Sequence, residues 1–462
     1  MPPEKSAYAL ARYSRSADSI RQSIDWVRSH NSQNFLESFY FQYGHQSIAD
    51  LGHTVLCFEG VSELAASEIE DETLWDGQAK SSRYQDFSKS GFIIPSELSG
   101  DAAALYRAAG ESLLLAYKEV HSRVGEYLTA TLPRPESMKP DAYARNIAAR
   151  AFDVARYLLF WGVPTNVGQV TSIRTLEKQI RRMRISPFAE VRDLAEEMAQ
   201  ACAETPACLW DEGNAEPLAP TLARHAEPDE HQRQSRDDLK LWAHQNLKVD
   251  SFNPPKIDLL KPDDVMTEIA ATLLYPVCGD PFRAIYETVR GWSRACKMEV
   301  LDVAVKSRGS RDDLLRGFRG GHYCFDMLID IGAYRDMHRH RRCHQYRQPY
   351  SGKHGYDVPA LLAQSETEAA YRSAIDRALE TMRLLPDPAC QYLLPFGARS
   401  RFLFKMDFAE VEYISRVRSG VKGHFSYREI AWEMKQRVAE IEPELASLID
   451  ATPPWVEDPL KR

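Results

Sequence analysis

The chain has 462 residues, of which 44% are hydrophobic and 27% are charged, and its formal net charge at pH 7 is −8. A single hydrophobic core seldom grows beyond about 250 to 300 residues, so this length predicts two or three domains. The net negative charge argues against a general nucleic-acid binder, which neutralises phosphates with a basic face. No apolar run reaches the roughly 18 residues of a membrane helix, so no membrane insertion is expected.

The cysteines and the first residues of the chain predict a cytoplasmic protein. The eight cysteines are scattered and form no CxxC pair, and a chain of this size needs no disulfide bonds to be stable. Residues 1–7 lack the basic segment and the apolar stretch of a secretory signal. We therefore expect reduced thiols.

The apolar pattern alternates between helical and strand-like periods and predicts an α+β fold. Apolar residues recur at steps of three and four, which predicts helices over 101–128, 187–202, 366–384 and 426–441. Alternating or β-rich runs predict strands over 53–58, 91–95, 323–330 and 401–406. A small mixed or antiparallel sheet flanked by long helices satisfies both patterns.

An internal repeat divides the chain into two similar halves. Residues 157–166 match residues 392–401, and residues 192–198 match residues 428–434 at nearly the same offset. Two matches in register predict two copies of one domain. Such a chain amounts to a covalently linked dimer.

Between the two halves lies a segment of different composition. Residues 203–262 are rich in Pro, Asp, Glu, Gln and His and lack a sustained apolar period. We predict that they form a linker. The two domains are then expected over residues 1–202 and 263–462.

The segment 337–351 contains four arginines and three histidines in a chain that is acidic overall. The planar guanidinium fork matches the oxygens of a phosphate, so one interpretation is a pocket for a phosphorylated ligand. A second is a solvated basic turn, or structural arginines that pair with some of the 66 acidic residues. A third takes His338, His340, Cys343 and His344 as metal ligands. Closed zinc sites usually combine ligands from two separated segments, and the chain has no second Cys/His pair of suitable spacing, so we predict no bound metal.

Within this segment, the triplet Arg339-His340-Arg341 and the later Ser351-Gly352-Lys353 resemble the signature of the flavin-dependent thymidylate synthases (ThyX). Further segments also resemble parts of that family, namely residues 394–402, Arg418 with 427–430, and, in the first half, residues 44–47, 59–62 and 81–87. Together they cover most of the chain outside the linker. The combination, rather than any one segment, is specific to the family.

The resemblance implies a reaction and its cofactors. Members of that family transfer a carbon from methylenetetrahydrofolate to C5 of the uracil of dUMP, which yields dTMP, and FAD reduced by NADPH supplies the hydride. This chemistry needs no thiol nucleophile, so Cys343 is expected to be incidental. In such a site the cofactor carries the redox chemistry, while the protein holds phosphates and orients rings.

Carried over by position, the resemblance assigns the flavin side of the site to the second half. Arg339, His340 and Arg341 would contact the flavin or its pyrophosphate. Arg418 and His424 would support the same side of the site.

The resemblance also implies the substrate side and the catalytic residues. Ser351 and Lys353 would lie at the phosphate of dUMP, and Arg401 would reach in from another copy of the domain. Ser351 and Arg401 are the expected catalytic residues.

The two halves depart from the family pattern in different places. The second half has Lys353 where an arginine is usual, so a point charge replaces a bidentate fork. The first half has residues 72–77, with the acids Glu72 and Asp76, where Arg-His-Arg is expected. We therefore predict a composite site, in which the second half supplies the flavin-binding arginines. The first half would supply the four family-like residues Ser81, Arg83, Arg174 and His45.

Three functions stay open from the sequence. The first is thymidylate synthesis from dUMP, and the second is flavin-dependent methylation of another uracil nucleotide. The third is a degenerate homologue that binds flavin or nucleotide without turnover. Because the family is tetrameric and each chain here carries two copies of the domain, a homodimer is the expected assembly.

Overall fold

The structure is a computed structural model of the chain, and it describes most of its residues. The described residues are 1–42, 46–72, 74–206, 216–230, 233–234, 255–260, 264–274, 282–305, 314, 318 and 322–460. Helices and strands alternate along the chain, and the strands form two small antiparallel sheets. The predicted α+β class is confirmed.

The α-helices of the described residues are α1 (Pro3–Tyr13), α2 (Ile20–Ser29), α3 (Ser32–Leu36), α4 (Glu63–Glu70), α5 (Gly100–Thr131), α6 (Pro140–Ala155), α7 (Ile173–Arg184), α8 (Ala189–Ala203), α9 (Pro220–His225), α10 (Val265–Leu274), α11 (Phe282–Arg290), α12 (Arg294–Val305), α13 (Ile331–Met337), α14 (Leu361–Gln364), α15 (Glu368–Met382), α16 (Phe408–Ser419), α17 (Phe425–Ile441) and α18 (Pro443–Ala446). The strands are β1 (His53–Ser62), β2 (Trp75–Ala79), β3 (Pro164–Ser172), β4 (Ile257–Leu260), β5 (Tyr323–Asp330), β6 (His344–Arg347) and β7 (Arg399–Met406). The four predicted helices correspond to α5, α8, α15 and α17, with ends that differ by a few residues.

Three of the four predicted strands are confirmed, and the fourth is wrong. The predictions over 53–58, 323–330 and 401–406 correspond to β1, β5 and β7. Residues 91–95 form no strand. Their apolar side chains instead anchor a loop: Phe92 packs edge-on against Tyr106 and Phe160. A short run of β-prone apolar residues therefore reflects burial on the core here, without a neighbouring strand.

The two sheets are built in the same order. The first has the strand order β1-β3-β2, and the second has β4-β5-β7-β6. In each half a strand leads into a short helix and a second strand (β1, α4, β2 and β5, α13, β6), and a third strand leads into two helices (β3, α7, α8 and β7, α16, α17). Apart from β4 at the outer edge, the second sheet repeats the first.

The repeat includes the helix caps and the hydrogen bonds that join each capped helix to a later helix. Ser62 and Asp330 each cap the helix that follows the first strand, by accepting a hydrogen bond from the backbone N–H three residues further on. The hydroxyl of Ser62 donates to Glu190 at the start of α8, at 2.6 Å. The carboxylate of Asp330 accepts from the hydroxyl of Ser426 at the start of α17. The same hydrogen bond between a helix cap and a later helix is thus made in both halves. In the first half the cap supplies the hydroxyl, and in the second half the cap supplies the carboxylate.

The two halves meet through the segment that the sequence repeats. Phe160 and Pro395, which are equivalent residues, face each other in an antiparallel bridge. The N–H of Gly162 donates to the carbonyl of Tyr392 at 2.7 Å, and the N–H of Gly397 donates to the carbonyl of Tyr157 at 3.0 Å. Because equivalent residues pair with each other, a local two-fold axis passes between them. The long helices α5 and α15 pack together across the same junction.

The predicted linker contains elements that pack on the two halves. Helix α9 is held by Glu4, whose carboxylate accepts from the N–H and the hydroxyl of Thr221 at 2.7 and 2.8 Å. Strand β4 pairs with β5 at the edge of the second sheet. The rest of residues 203–262 lies largely outside the described residues, so the proposed domain limits stay a prediction. Within the described ranges, no helix is long and apolar enough to cross a membrane.

We expect Gly397→Ala to lower the free energy of unfolding by about 1–3 kcal/mol, the usual cost of adding a methyl group to a tightly packed site. A Cβ there would lie 2.6 Å from the hydroxyl of Tyr371 and 3.2 Å from the Cβ of Tyr157, and both tyrosines are buried. Gly125→Ala is the control, because the nearest atom to a Cβ on that part of α5 is 4.0 Å away. That change should stabilise the helix by about 0.5–1 kcal/mol. Urea unfolding measures both, and two equal effects would contradict tight packing at the junction.

Candidate functional site

The basic segment of the second half lies against its acidic counterpart in the first half. Counted from the caps Ser62 and Asp330, the positions of Arg339 and His340 are taken in the first half by Asp71 and Glu72. The local two-fold axis brings these two segments, of opposite charge, face to face.

Ion pairs join the two segments. A guanidinium nitrogen of Arg341 lies 2.7 Å from the carboxylate of Asp76, and Nε2 of His338 lies 3.6 Å from Asp71. Arg347 pairs with Glu68. Arg341, which the resemblance assigns to the flavin, is therefore engaged by the other half.

The electrostatics of Asp71 show how strongly the segments interact. Burial raises the pKa of its carboxyl, but His338, Arg347 and Arg182 together hold that pKa well below its ordinary value. Asp71 is therefore charged at neutral pH. This part of the basic segment contributes to the contact between the halves.

The other two residues of the triplet, Arg339 and His340, have different surroundings. Arg339 is exposed and makes no hydrogen bond or ion pair within the described part of the chain. His340 is buried, and its Nε2 accepts a hydrogen bond from Nε of Arg418 at 2.7 Å. Its Nδ1 therefore carries the hydrogen and faces Glu410, at 3.6 Å. Burial, helped by the charge of Arg418 and opposed by Glu410, lowers the pKa of His340, so the ring is neutral at pH 7.

Arg83 of the first half extends into the second half. It donates to both carboxylate oxygens of Asp153, at 2.7 and 3.2 Å. It also donates to the hydroxyl of Tyr427 at 2.8 Å and to the carbonyl of Lys422 at 3.1 Å. Burial lowers the pKa of Arg83, but Asp153 more than offsets this and raises it. The guanidinium of Arg418 lies over the ring of Tyr427, 5.5 Å from its centroid, so one tyrosine contacts arginines from both halves.

The charges of these arginines act on Asp336. Its carboxylate lies 3.0 Å from Arg156. Although burial raises its pKa, the charges of Arg156, Arg418, Arg339 and Arg83 lower it below the ordinary value. We call Arg83, Asp336, Arg339, His340 and Arg418 the junction cluster. It combines residues of both halves and carries more positive than negative charge.

A second pair of residues bridges the halves beside this cluster. Arg335 on α13 pairs with Glu63, the first residue of α4, and donates to the hydroxyl of Ser82 at 3.2 Å. Burial raises the pKa of Glu63 to about 7, and Arg335 and Arg339 oppose the rise. Neither Glu63 nor Arg335 was predicted from the sequence. The position of Arg335 just before the Arg-His-Arg triplet is the one local signal that could have suggested it.

The predicted substrate residues of the second half lie beside β7. Arg401 pairs with Asp326 of the neighbouring strand at 2.9 Å. Lys353 is exposed, and together with Arg401 it lowers the pKa of His354, after burial. The hydroxyl of Ser351 is buried and makes no hydrogen bond within the described residues. Lys353 and Arg401, of the same half, thus both lie close enough to act on His354. The resemblance instead has Arg401 reach in from another copy of the domain, so the substrate role of Ser351, Lys353 and Arg401 stays a prediction.

Two predicted site residues are occupied by structural contacts. His424 is buried and caps α17 by accepting from the N–H of Ser426 at 3.2 Å. Its other ring nitrogen donates to the carbonyl of Asp153 at 2.7 Å. Arg174 pairs with Asp50 at 2.7 Å within the first half. Both side chains hold the fold around the site, and their predicted contacts with ligands stay untested.

The last two predicted residues can be described briefly. The hydroxyl of Ser81 accepts from the N–H of Arg83 at 3.3 Å and so shapes the turn that carries Arg83. His45 lies outside the described residues.

Comparison with known proteins finds one family over most of the chain. The model of the family described as thymidylate synthase complementing protein matches residues 1–206 and 314–444. A UPF0159 protein of Chlamydia muridarum is 28% identical over 431 residues, which cover 88% of this chain and 78% of that protein. A UPF0159 protein of Thermoplasma acidophilum is 25% identical over 488 residues, which cover 95% of this chain and 93% of that protein. The names of these relatives state no activity.

Among solved structures, the flavin-dependent thymidylate synthase ThyX from Helicobacter pylori, complexed with FAD and dUMP, is similar to part of the chain. The sequences are 14% identical, and the match covers 42% of this chain and 98% of that chain, with a TM-score of 0.30. A score this low supports no conclusion about the fold.

Glu63 should make the stability of the protein depend on pH. Its pKa rises from 4.5, the ordinary value, to about 7 on folding. Between these values the folded protein holds a proton that the unfolded chain releases. Its contribution to stability is therefore complete below about pH 4.5 and is lost as the pH rises to about 7. Each pKa unit corresponds to about 1.4 kcal/mol.

The glutamine in Glu63→Gln cannot ionise, so this variant should not lose this contribution to stability as the pH rises. We expect the free energy of unfolding of the variant, relative to the wild type, to improve by about 2–3 kcal/mol between pH 5 and pH 8. Urea unfolding at the two pH values measures the change. A difference between the two proteins that is the same at both pH values would contradict the buried, titrating carboxyl.

Proposed function

We propose, from the premise that this chain belongs to the thymidylate synthase complementing protein family, that it is an FAD-dependent enzyme of the thymidylate synthase type. The substrate would be dUMP, the carbon donor methylenetetrahydrofolate and the reductant NADPH. The observation that carries the proposal is the junction cluster, in which the charges of Arg83 of one half and of Arg339 and Arg418 of the other act on the carboxylate of Asp336 and lower its pKa.

The residues of the junction cluster fit an anionic cofactor. Arg339 is exposed and makes no hydrogen bond or ion pair within the described residues, so its fork of donors is available to a phosphate. Neighbouring Arg418 is held by its hydrogen bond to the neutral ring of His340. FAD, when bound, would supply the hydride, and these side chains would hold its pyrophosphate and orient its ring.

Arg83 would give the composite site its rigidity. A bidentate pair with Asp153 and a third bond to Tyr427 fix the guanidinium between the halves. A group held this firmly costs little further entropy when a ligand binds. The composite site suggested by the sequence thus has physical support in the contacts of Arg83.

The distribution of charge between the halves supports one cofactor site per chain. At the position equivalent to the signature the first half has Asp71 and Glu72. Carboxylates there would repel a pyrophosphate. We propose that the chain consists of two tandem ThyX-like domains, over 1–202 and 263–462. A homodimer would contain four such domains and two cofactor sites.

A second candidate is a homologue that binds flavin or nucleotide without turnover. It is favoured by the state of Arg341, which pairs with Asp76 although the resemblance assigns it to the flavin. Lys353 is exposed and stands where the family usually has an arginine. It also favours this second candidate, because a point charge holds a phosphate with less geometric specificity.

Two measurements on the purified protein separate the candidates. We expect a visible absorption spectrum of oxidised flavin, with about one FAD released per chain on denaturation, because one junction retains the arginines. We also expect dTMP to form from dUMP only when both methylenetetrahydrofolate and NADPH are present. Bound flavin without turnover would favour the second candidate. No flavin even after addition of excess FAD would overturn both.

Arg339→Ala should weaken FAD binding about 10- to 100-fold, since a hydrogen bond to a charged group contributes about 1.5–3 kcal/mol. The matched control is Arg342→Ala, which removes an equally exposed arginine of the same segment. Because both side chains are exposed, neither change should alter the melting temperature by more than a few degrees. Fluorescence titration with FAD measures the affinities. Equal losses in the two variants would show that the segment attracts FAD by general charge alone.

A further inference from the structure

The ion pair between Glu63 and Arg335 is among the most buried pairs across the junction. The side chain of Glu63 is 1% exposed and that of Arg335 is 12% exposed, so water screens the pair weakly. Arg335 also donates to the hydroxyl of Ser82 and lies over the ring of Phe396, 4.6 Å from its centroid. The guanidinium is thus positioned by residues of both halves.

The carboxylate of Glu63 is incompletely satisfied. One of its oxygens pairs with Arg335, and the other, Oε1, is buried and makes no hydrogen bond within the described residues. A buried charge with an unsatisfied oxygen is held at a cost of several kcal/mol in order of magnitude. Glu68, one turn further along α4, contrasts with it, because Arg347 and Arg182 both pair with Glu68. Glu63 is accordingly a weakly held counter-ion.

The charges that face Glu63 come from several elements. Arg335 on α13 and Arg339 just beyond it attract the carboxylate, and Glu70 on its own helix repels it. Glu68 on the same helix is paired with Arg182 of α7, and Glu190 of α8 binds the preceding residue, Ser62. The balance leaves the pKa of Glu63 at about 7, so a modest addition of negative charge nearby is enough to protonate it at neutral pH.

We propose that Arg335 is a further anion-binding residue of the junction cluster, and that Glu63 is its resident counter-ion, which a phosphate group of the bound ligand replaces. The ligand chemistry is a phosphate or diphosphate ester, which both FAD and dUMP carry. This inference rests on the proposed function for the identity of the ligand, and on the contacts of Glu63 and Arg335 for the site.

The exchange conserves charge and protons. Above about pH 7 and before binding, the guanidinium of Arg335 is paired with the Glu63 carboxylate. On binding, the ligand phosphate pairs with the guanidinium, and the carboxylate takes one proton from solvent to become a neutral carboxylic acid. Because Arg339 also acts on Glu63, a phosphate held by both arginines would face that carboxyl directly.

Proton uptake makes the affinity depend on pH with a definite sign. Below about pH 7 Glu63 already carries its proton, and binding requires no uptake. Above that pH each binding event takes up one proton, so the affinity falls, by up to about tenfold for each pH unit. This pH dependence of the affinity arises from the titration of Glu63, so a variant without a titrating group at that position should lack it.

The experiment is calorimetric titration of the full-length protein with FAD and, separately, with dUMP, at pH 7.0 and pH 8.5. For the ligand whose phosphate binds Arg335, we expect the wild-type affinity to fall about tenfold between these pH values. Glu63→Gln should bind equally well at both, and about 30-fold tighter than the wild type at pH 8.5. Repeating the titration in two buffers of different ionisation enthalpy should show uptake of close to one proton at pH 8.5 by the wild type and none by the variant. The ligand that shows the effect identifies the source of the phosphate.

Two further variants make the test decisive. Arg335→Gln should weaken binding of the same ligand at least tenfold and abolish proton uptake, and it decides the matter alone if Glu63→Gln does not fold. Glu68→Gln is the matched control, since it removes another buried acid of the same helix that pairs with arginines from both halves, and it should keep the wild-type pH dependence.

The outcomes separate this inference from the proposed function. If neither FAD nor dUMP binds, the proposed function fails, and inorganic pyrophosphate titrated in the same way still tests Arg335 and Glu63. If a ligand binds but the pH dependence persists in Glu63→Gln, or if Arg335→Gln binds as the wild type does, the counter-ion is ruled out while the proposed function stands. Weaker binding by Glu63→Gln with an unchanged pH profile would likewise overturn it, because Glu63 would then only position Arg335.

Discussion

The structure depends on the antiparallel pairing of residues 157–162 with residues 392–397. This contact lies on the local two-fold axis. Phe160 faces its equivalent Pro395, and the backbone hydrogen bonds occur in equivalent pairs, such as Gly162 to Tyr392 and Gly397 to Tyr157. Because it fixes the halves relative to each other, it also determines which surfaces face across the junction. The short helix and the strand that follows it in each half, α4 with β2 and α13 with β6, are brought together in this way, and the ion pairs that cross between the halves at the candidate site follow from that arrangement.

Joining two copies in one chain removes a constraint that symmetry imposes. In a dimer of identical chains, the segments that meet at a two-fold axis carry the same charge and repel each other if that charge is large. Here one copy has become acidic, with Asp71 and Glu72 where the other has Arg339 and His340. The pairs of Arg341 with Asp76 and of Arg347 with Glu68 then stabilise the junction. The result is one cationic cluster with contributions from both halves.

Burial explains why the site combines fixed and adjustable charges. Arg83 is buried and bonded to both carboxylate oxygens of Asp153, which raises the pKa of the guanidinium, so the charge of Arg83 is fixed across the physiological pH range. Glu63 is buried with a free oxygen and titrates near neutrality. His340 is neutral because burial and Arg418 lower its pKa. A fixed charge, such as that of Arg83, can position a ligand. A group that titrates near neutrality, such as Glu63, can change its protonation state when the ligand binds.

The sequence by itself determined the α+β class, the positions of the long helices and most strands, the internal repeat and the triplet Arg339-His340-Arg341, because periodicity and motifs are properties of neighbouring residues. It could not show that residues 91–95 anchor a loop, since burial on a core and pairing in a sheet both favour a short run of β-prone apolar residues. Only the tertiary structure decided which charges meet: Glu63 and Arg335 are separated by 272 residues, and Arg83 and Tyr427 by 344. An ion pair depends on distance in space, which no local pattern in the chain encodes.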